Sequence, residues 1–563
     1  MIQNLAMNIA RQKTADMKTE HDRREKEKAK QMAAKKIMIQ GTMSNSGKSF
    51  LVAALCRIFW QDGYRTAPFK SQNMALNSYI TDDGMEIGRA QAMQAEAAKI
   101  RPTVDMNPIL LKPTSHMGSQ VILKGEVAGN WKAMDYYRKK PEFIPMIREA
   151  FARLEEQYEV IVLEGAGSPA EINLQENDIV NMGMAEMADA PVLLIGDIDR
   201  GGVFASLYGT VMLLRPEDRA RIRGMVINKF RGDPKILEPG LRMIEERLGI
   251  PVVGVIPMEK IDLDDEDSLS ERLARTGEER LLDIVVIRLP HIANFTDFNV
   301  LERKPEIRLR YEERVGRLGK PDLIILPGTK NTMADLTWLR ECGLESAILR
   351  LVAKDEISLI GICGGYQMLG SWLRDPEGVE GVPGGCMHGM GLLPAETVFS
   401  ERKRRKQIVG TMTKKSQMFQ GYDGYFTGYE IHMGETSLVE ERTRRHEKPE
   451  TAKKSQMMIR LSDGRQDGME REDGRVFGSY LHGLFDNEEL TKGLIRKLME
   501  EKRKDGMDGN KKEDGKKIWQ FKENKDAESS EEYKERQYDK LADLVRTSLD
   551  MTKIYEILEE SSI

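Results

Sequence analysis

The chain has little cysteine, no long apolar run and no large excess of either charge, and each absence removes a class of protein. Its four cysteines, Cys56, Cys342, Cys363 and Cys386, include no CxxC pair, which argues against a disulfide framework and against a structural zinc site. A reducing compartment suits such a chain, and the cytoplasm is the expected location. No stretch approaches the length and hydrophobicity of a membrane span, and the opening residues mix Lys, Arg, Glu and Asp without the apolar core of a signal peptide. Acids and bases nearly cancel, 91 against 86, so nothing global points to a nucleic-acid partner, and any anion binding must be local. What is present is ample material for packed cores: 563 residues, 40% of them hydrophobic, enough for two or three domains.

Residues 1–35 read as a charged, flexible leader, after which KKIMIQ reads as a short buried strand entering a glycine-rich turn. From there YEVIVLEGAG, APVLLIGDID, RIRGMVINKF and IPVVGVIP alternate with helical stretches, the βαβ rhythm of a parallel sheet. The expected fold class is therefore α/β, with two parallel-sheet domains, at 36–265 and 282–500, joined by an acidic linker at 266–281. Residues 440–475 are charged and poor in apolar periodicity, which predicts a surface loop or hairpin insert. Residues 501–535 are richer still in charge and glycine and read as disordered, and 536–563 recover helical spacing as one amphipathic helix that docks back.

Two segments carry chemistry. In GTMSNSGKS, Gly41 to Ser49 follow a strand and precede the apolar helical run FLVAALCRIF. Gly41, Thr42 and Gly47 would form a turn whose amides cradle phosphate, Lys48 would reach the outer phosphates of ATP, and the Ser49 hydroxyl would ligate Mg2+. Strict P-loop spacing asks for glycine at 42, where Thr42 stands, with glycine one residue earlier. This departure is similar to the loop of dethiobiotin synthetase and its relatives, which activate carboxylates with ATP. Glu164 ends a buried strand in VLEGAG, where a carboxylate is costly unless it serves a cation. In the dethiobiotin synthetase type of site the acid of such a turn helps hold magnesium. Glu86 or Asp83, in TDDGMEIGRAQ, would complete the metal shell, and the sequence does not choose between them. Asn228 in MVINKF resembles the position at which these enzymes bind adenine.

The second segment, SLIGICGGYQMLG, puts Cys363 between an apolar strand and a glycine pair that opens a helix. That is nucleophile-elbow geometry: a sharp turn exposes the sulfur, while the following amides, Gly364 among them, favour thiolate and oxyanion. The segment closely resembles the elbow of class I glutamine amidotransferases, which have a flavodoxin-like fold. The resemblance makes His482 in SYLHGLFD the base, and puts the Gly328 amide of LPGTKNT near the oxyanion. Many members carry an acid two residues after the histidine, and this chain has Leu484, so another group or the backbone must orient His482. His432 in GYEIHMG is expected to face substrate or the domain interface.

Longer segments narrow the resemblance. PFKSQNMALNS, EIGRAQAMQAEAA, MNPILLKPTSHMGSQV, GDIDRGGVFAS, NFTDFNVLE and GYEIHMGET look like the cobyric acid synthase family almost word for word, over roughly 37–500 and the final helix. The resemblance implies ATP-dependent amidation of the b, d, e and g side-chain carboxylates of adenosylcobyrinic acid a,c-diamide, with glutamine as nitrogen donor. It implies a corrinoid pocket, for which Lys70, Asn73, Asp83, Arg89, Lys112, Asp197 and Arg200 are the candidates. A homo-oligomer is compatible with the sequence. The competing readings are a cobyrinic acid a,c-diamide synthase, a corrinoid sensor, and a MinD- or ParA-like positioning ATPase. The last would carry a lysine five residues before Lys48, where Met43 stands.

Overall fold

The computed structural model of the protein describes residues 34–115, 118–264, 280–381, 383–439, 454–508 and 529–560. The expected leader up to residue 33, most of the expected linker (265–279), and 440–453 and 509–528 of the two charged stretches lie outside the described residues.

The first sheet has six parallel strands in the order Val252–Pro257, Ile222–Phe230, Val192–Asp197, Lys35–Gly41, Val160–Glu164, Thr66–Phe69. Alternation across the pleat explains why it is covered on both faces. Ile37 and Ile39 enter one core with Val160, Val162, Leu193 and Ile195, while Met38 enters the other with Ile161, Leu163 and Leu194. The strand Lys35–Gly41 lies between its two partners and delivers the glycine-rich turn to the carboxyl edge of the sheet, with Glu164 beside Ile39 in register. A smaller sheet, built from Gln72–Met74, Ile109–Ser115, Gly118–Leu123 and Glu126–Lys132, extends this half of the molecule toward the second sheet.

The second sheet starts with five parallel strands, Ile307–Glu312, Leu282–Ile287, Leu323–Leu326, Ser358–Ile362 and Val476–Ser479, and continues through strands paired mainly antiparallel. The stretch expected as a surface loop or hairpin insert is a hairpin, but one that lies within the sheet and not on the surface. Ser455–Leu461 and Gln466–Arg471 form a hairpin inside the sheet, between Val476–Ser479 and Ala395–Met412. Polar residues are buried in it among the apolar ones, which hid the strand pattern: Asp467 accepts from Ser479 Oγ at 2.6 Å, and Glu470 accepts from the Gln417 amide at 2.7 Å.

The C-terminal reading is also corrected. The helix after that sheet runs Glu488–Asp508, past the expected boundary. The final stretch is two helices, Ser530–Ser548 and Met551–Glu560, the first starting on a Ser529–Glu532 capping box. They are separated where Leu549 bridges to Gly254 and the Asp550 amide donates to the Val253 carbonyl. Tyr538, Leu541, Ala542 and Val545, at helical spacing, bury one face in the first domain's core. Among the described residues, no helix is long and apolar enough to cross a membrane.

Candidate active sites

The turn after Lys35–Gly41 wraps tightly against the start of the helix Lys48–Gln61. A Cβ on Gly41 would lie 2.2 Å from Ser46 Oγ and 3.1 Å from Lys48 Nζ, so only glycine fits there. Gly47, at φ 99°, sits against Asn228, whose Nδ2 donates to the Ser46 carbonyl at 2.9 Å. Lys48 folds over the turn, donating to the carbonyls of Met43 (3.0 Å) and Gly167 (3.2 Å). The buried hydroxyl oxygens of Thr42 and Ser46 have no hydrogen-bond partner, the state expected of a cradle made for an anion. Ser49 Oγ donates to Glu164 Oε1 at 2.9 Å. Lys70 Nζ reaches the same oxygen at 2.9 Å, and Gln94 Nε2 donates to Glu164 Oε2 at 2.5 Å. Hydroxyl and carboxylate oxygens facing one another at a phosphate cradle are a hard donor set that suits magnesium. The turn opens on a cavity of about 710 Å³ lined by Lys48, Lys70, Lys140, Arg200, Lys229 and Lys260 as well as by Glu164 and Asn73.

The nucleophile site lies in the second sheet. Cys363 follows the strand Ser358–Ile362 at φ 51°, ψ −109°, a backbone held strained by its surroundings. The close approach that holds it is visible at Gly365, where a Cβ would lie 2.0 Å from the Leu326 carbonyl oxygen. His482 is buried just beyond the strand Val476–Ser479, with Nδ1 2.7 Å from Asp297 Oδ2. Tyr429 stacks on the imidazole at 5.1 Å between ring centres and pairs with it through both backbone amides. Burial alone pulls the His482 pKa down, but the Asp297 carboxylate and the neighbouring Cys363 outweigh it and raise the imidazole to about 10. A Cβ on Gly328 would lie 3.1 Å from His482 Cε1 and 3.8 Å from Cys363 Cβ, and Gly364 packs on Thr329, so both turns border the sulfur. His432 lines the same small cavity, stacked on Tyr480 with Nδ1 2.9 Å from the Gly434 carbonyl.

Sequence reasoning missed three of these partners. Asp297 was visible only as an acid between two phenylalanines in NFTDFN, which by itself names no partner. Gln94 and the base-facing Asn294, whose Nδ2 lies 3.5 Å from His482 Nε2, carried no local signal.

The structure places several of the expected site residues elsewhere. Glu86 does not join the metal site, because both of its oxygens are taken by lysines, Lys112 at 3.0 Å and Lys403 at 2.6 Å, beside the Cys363 cavity. Asp83, expected at the metal or the substrate, is exposed in a turn and accepts from Thr81 Oγ. Lys112 lines the nucleophile's cavity instead of the large one. Arg89 spends its guanidinium on Asp264, at 2.5 Å, and does not line the large cavity. Asn228, expected to read adenine, borders the phosphate turn, with Nδ2 donating to the Ser46 carbonyl. Asp197 is buried and grips Lys229 at 2.8 Å, so it positions a cavity lysine from behind.

Comparison with known proteins agrees with this division. Residues 37–269 match the CobQ/CobB/MinD/ParA nucleotide binding domain, and residues 283–490 match the CobB/CobQ-like glutamine amidotransferase domain. The chain is 55% identical to a cobyric acid synthase of Lachnoclostridium phytofermentans, over 94% of this chain and 99% of that one. It is 53% identical to one of Ruminiclostridium cellulolyticum, over 94% and 98%, and 48% identical to one of Yersinia enterocolitica, over 93% and 98%. A nucleotide-binding domain and a glutamine amidotransferase domain, in that order and at that identity over nearly the whole length, make this chain a member of the cobyric acid synthase family of cobalamin biosynthesis, glutamine-dependent amide-forming ligases.

Proposed function

We propose that the chain amidates the b, d, e and g carboxylates of adenosylcobyrinic acid a,c-diamide in succession, drawing ammonia from glutamine and activation from ATP. The observation that carries this reading is the 2.7 Å contact between His482 and Asp297 beside Cys363, in a chain that also holds a phosphate cradle. Cys363 as thiolate attacks the glutamine side-chain amide, and the amides around Gly328 and Gly364 receive the oxyanion. The imidazolium of His482 gives its proton to the departing nitrogen, leaving a glutamyl thioester that water hydrolyses.

At the other site a carboxylate of the corrinoid attacks the outer phosphate of ATP, breaking its bond to the bridging oxygen and releasing ADP, and forms an acyl phosphate, which ammonia converts to the amide with release of phosphate. Lys48 neutralises charge on the transferring group. Ser49 and Glu164 would hold a magnesium ion, which supplies further charge neutralisation when bound. The cavity basic groups, Lys70, Lys140, Arg200, Lys229 and Lys260, suit a substrate bearing several carboxylates. Free cysteines fit a cytoplasmic enzyme.

Mass spectrometry of the corrinoid after incubation with protein, glutamine, ATP and magnesium tests the substrate. Stepwise conversion of its free carboxylates to amides supports the reading, and an unchanged mass in the presence of a working control enzyme refutes it.

A further inference from the structure

The Cys363 cavity is not built by the second domain alone. Lys112, on the first domain's strand Ile109–Ser115, lines it together with Lys403, on the second domain's strand Ala395–Met412. Both lysines close on one carboxylate. Glu86 is fully buried, with Lys112 Nζ 3.0 Å from Oε1 and Lys403 Nζ 2.6 Å from Oε2. Each lysine has one further anchor in the first domain: Lys112 donates to Ser78 Oγ at 3.0 Å, and Lys403 donates to Gln120 Oε1 at 3.2 Å. The Ser78 amide in turn donates to Asn294 Oδ1 at 3.1 Å, and Asn294 faces the base.

The charge balance makes this contact more than packing. Burial would raise the Glu86 pKa, but Lys112 and Lys403 hold it well below the usual carboxylate range. Burial likewise pulls Lys403 down to about 7, against the opposing pull of Glu86. A buried carboxylate shared by a lysine from each domain binds the domains at one point, and removing it leaves two ammonium groups facing each other. The strand that carries Lys403 shifts register between Val398 and Lys403, and pairing resumes at Lys403, opposite Met433. Two residues further, Arg405 pairs with Glu126 at 2.5 Å, and Gln407 donates to the Ile80 carbonyl at 2.6 Å.

We propose that Glu86, clasped by Lys112 and Lys403, is the positioning residue that closes the nucleophile's cavity on its first-domain side, so that ammonia freed at Cys363 is delivered to the amidating site instead of escaping to solvent. The inference rests on the glutamine chemistry proposed above.

The test measures glutamate released and amide formed in the same reaction with glutamine, ATP, magnesium and the corrinoid, and then amide formed with ammonium chloride. Glu86→Gln removes the shared carboxylate, whereas Lys403→Met removes only the second domain's arm and leaves Glu86 paired with Lys112. In both variants the amide formed per glutamate released should fall about five-fold or more, while ammonia-supported kcat stays within about two-fold and Lys403→Arg retains most of the coupling. An unchanged ratio, or an equal loss with ammonia, overturns the proposal. A wild-type protein that releases no glutamate and forms no amide from either donor would overturn the underlying two-site reading first.

Discussion

Replacing Asp297 by asparagine tests the nucleophile site most sharply, because the change is nearly isosteric and removes one charge. Asp297 holds His482 through its Nδ1 at 2.7 Å and also accepts from the Gly483 amide at 3.3 Å. Loss of one partner of a buried charge pair costs about 3–5 kcal/mol. At about 1.4 kcal/mol per tenfold, that is about two to four powers of ten in the glutaminase rate if the imidazolium–thiolate pair is lost entirely. An asparagine that turns its NH2 toward Nδ1 adds to the effect by favouring the wrong tautomer.

The pH profile gives an independent readout. His482 is raised to about 10, so its cationic form persists through neutral pH and is lost only as pH rises through that value. The stabilisation it contributes to the fold is likewise fully present below the ordinary histidine pKa and lost as pH rises through about 10. In Asp297→Asn the alkaline fall in glutaminase activity should move to lower pH, toward the ordinary histidine range. The assay is glutamate release against pH, with ammonia-supported amidation as the control for folding. A glutaminase loss under about five-fold, or an unmoved alkaline limb, would refute the assignment of Asp297 as the group that orients and charges the base.

Other perturbations have equally definite outcomes. Glu164→Gln removes the carboxylate that faces Ser49, so the magnesium concentration giving half-maximal amide synthesis should rise about ten-fold or more while glutamate release persists, as titration with magnesium would detect. Gly365→Ala puts a methyl group into the Leu326 carbonyl, 2.0 Å from its oxygen, and should cost about 3 kcal/mol or more because backbone must move. That corresponds to a fall in Tm of roughly 6–12 °C in a thermal melt of the second domain's transition. An unchanged Tm would contradict the packing described at the elbow.

What could be read from sequence was what is local in sequence. The phosphate turn and the cysteine elbow each compress strand, glycine turn and helix into about a dozen residues, so residue type and spacing carry their geometry. The partners that finish each site are remote. Asp297 is 185 residues from His482, and Lys403 is 317 from Glu86, and no spacing rule reaches that far. Glu86 shows how such a reading goes astray: a buried acid does call for cations, but here the cations are two lysines and not a metal. That the hairpin Ser455–Arg471 lies inside the sheet escaped for a related reason, since Asp467, Glu470 and Arg471 are buried and satisfied by hydrogen bonds or ion pairs, which blurs the apolar alternation that marks a strand. The two final helices read as one because Leu549 continues the apolar spacing across the point where the chain pairs with Gly254.

Two separate sites, one that frees ammonia and one that uses it, divide the reaction, and the Cys363→Ala variant measured with both nitrogen donors tests that most directly. Amide formation from glutamine should vanish while amide formation from ammonium chloride proceeds at close to the wild-type rate. Equal loss with both donors would contradict the division of labour between Cys363 and the phosphate turn.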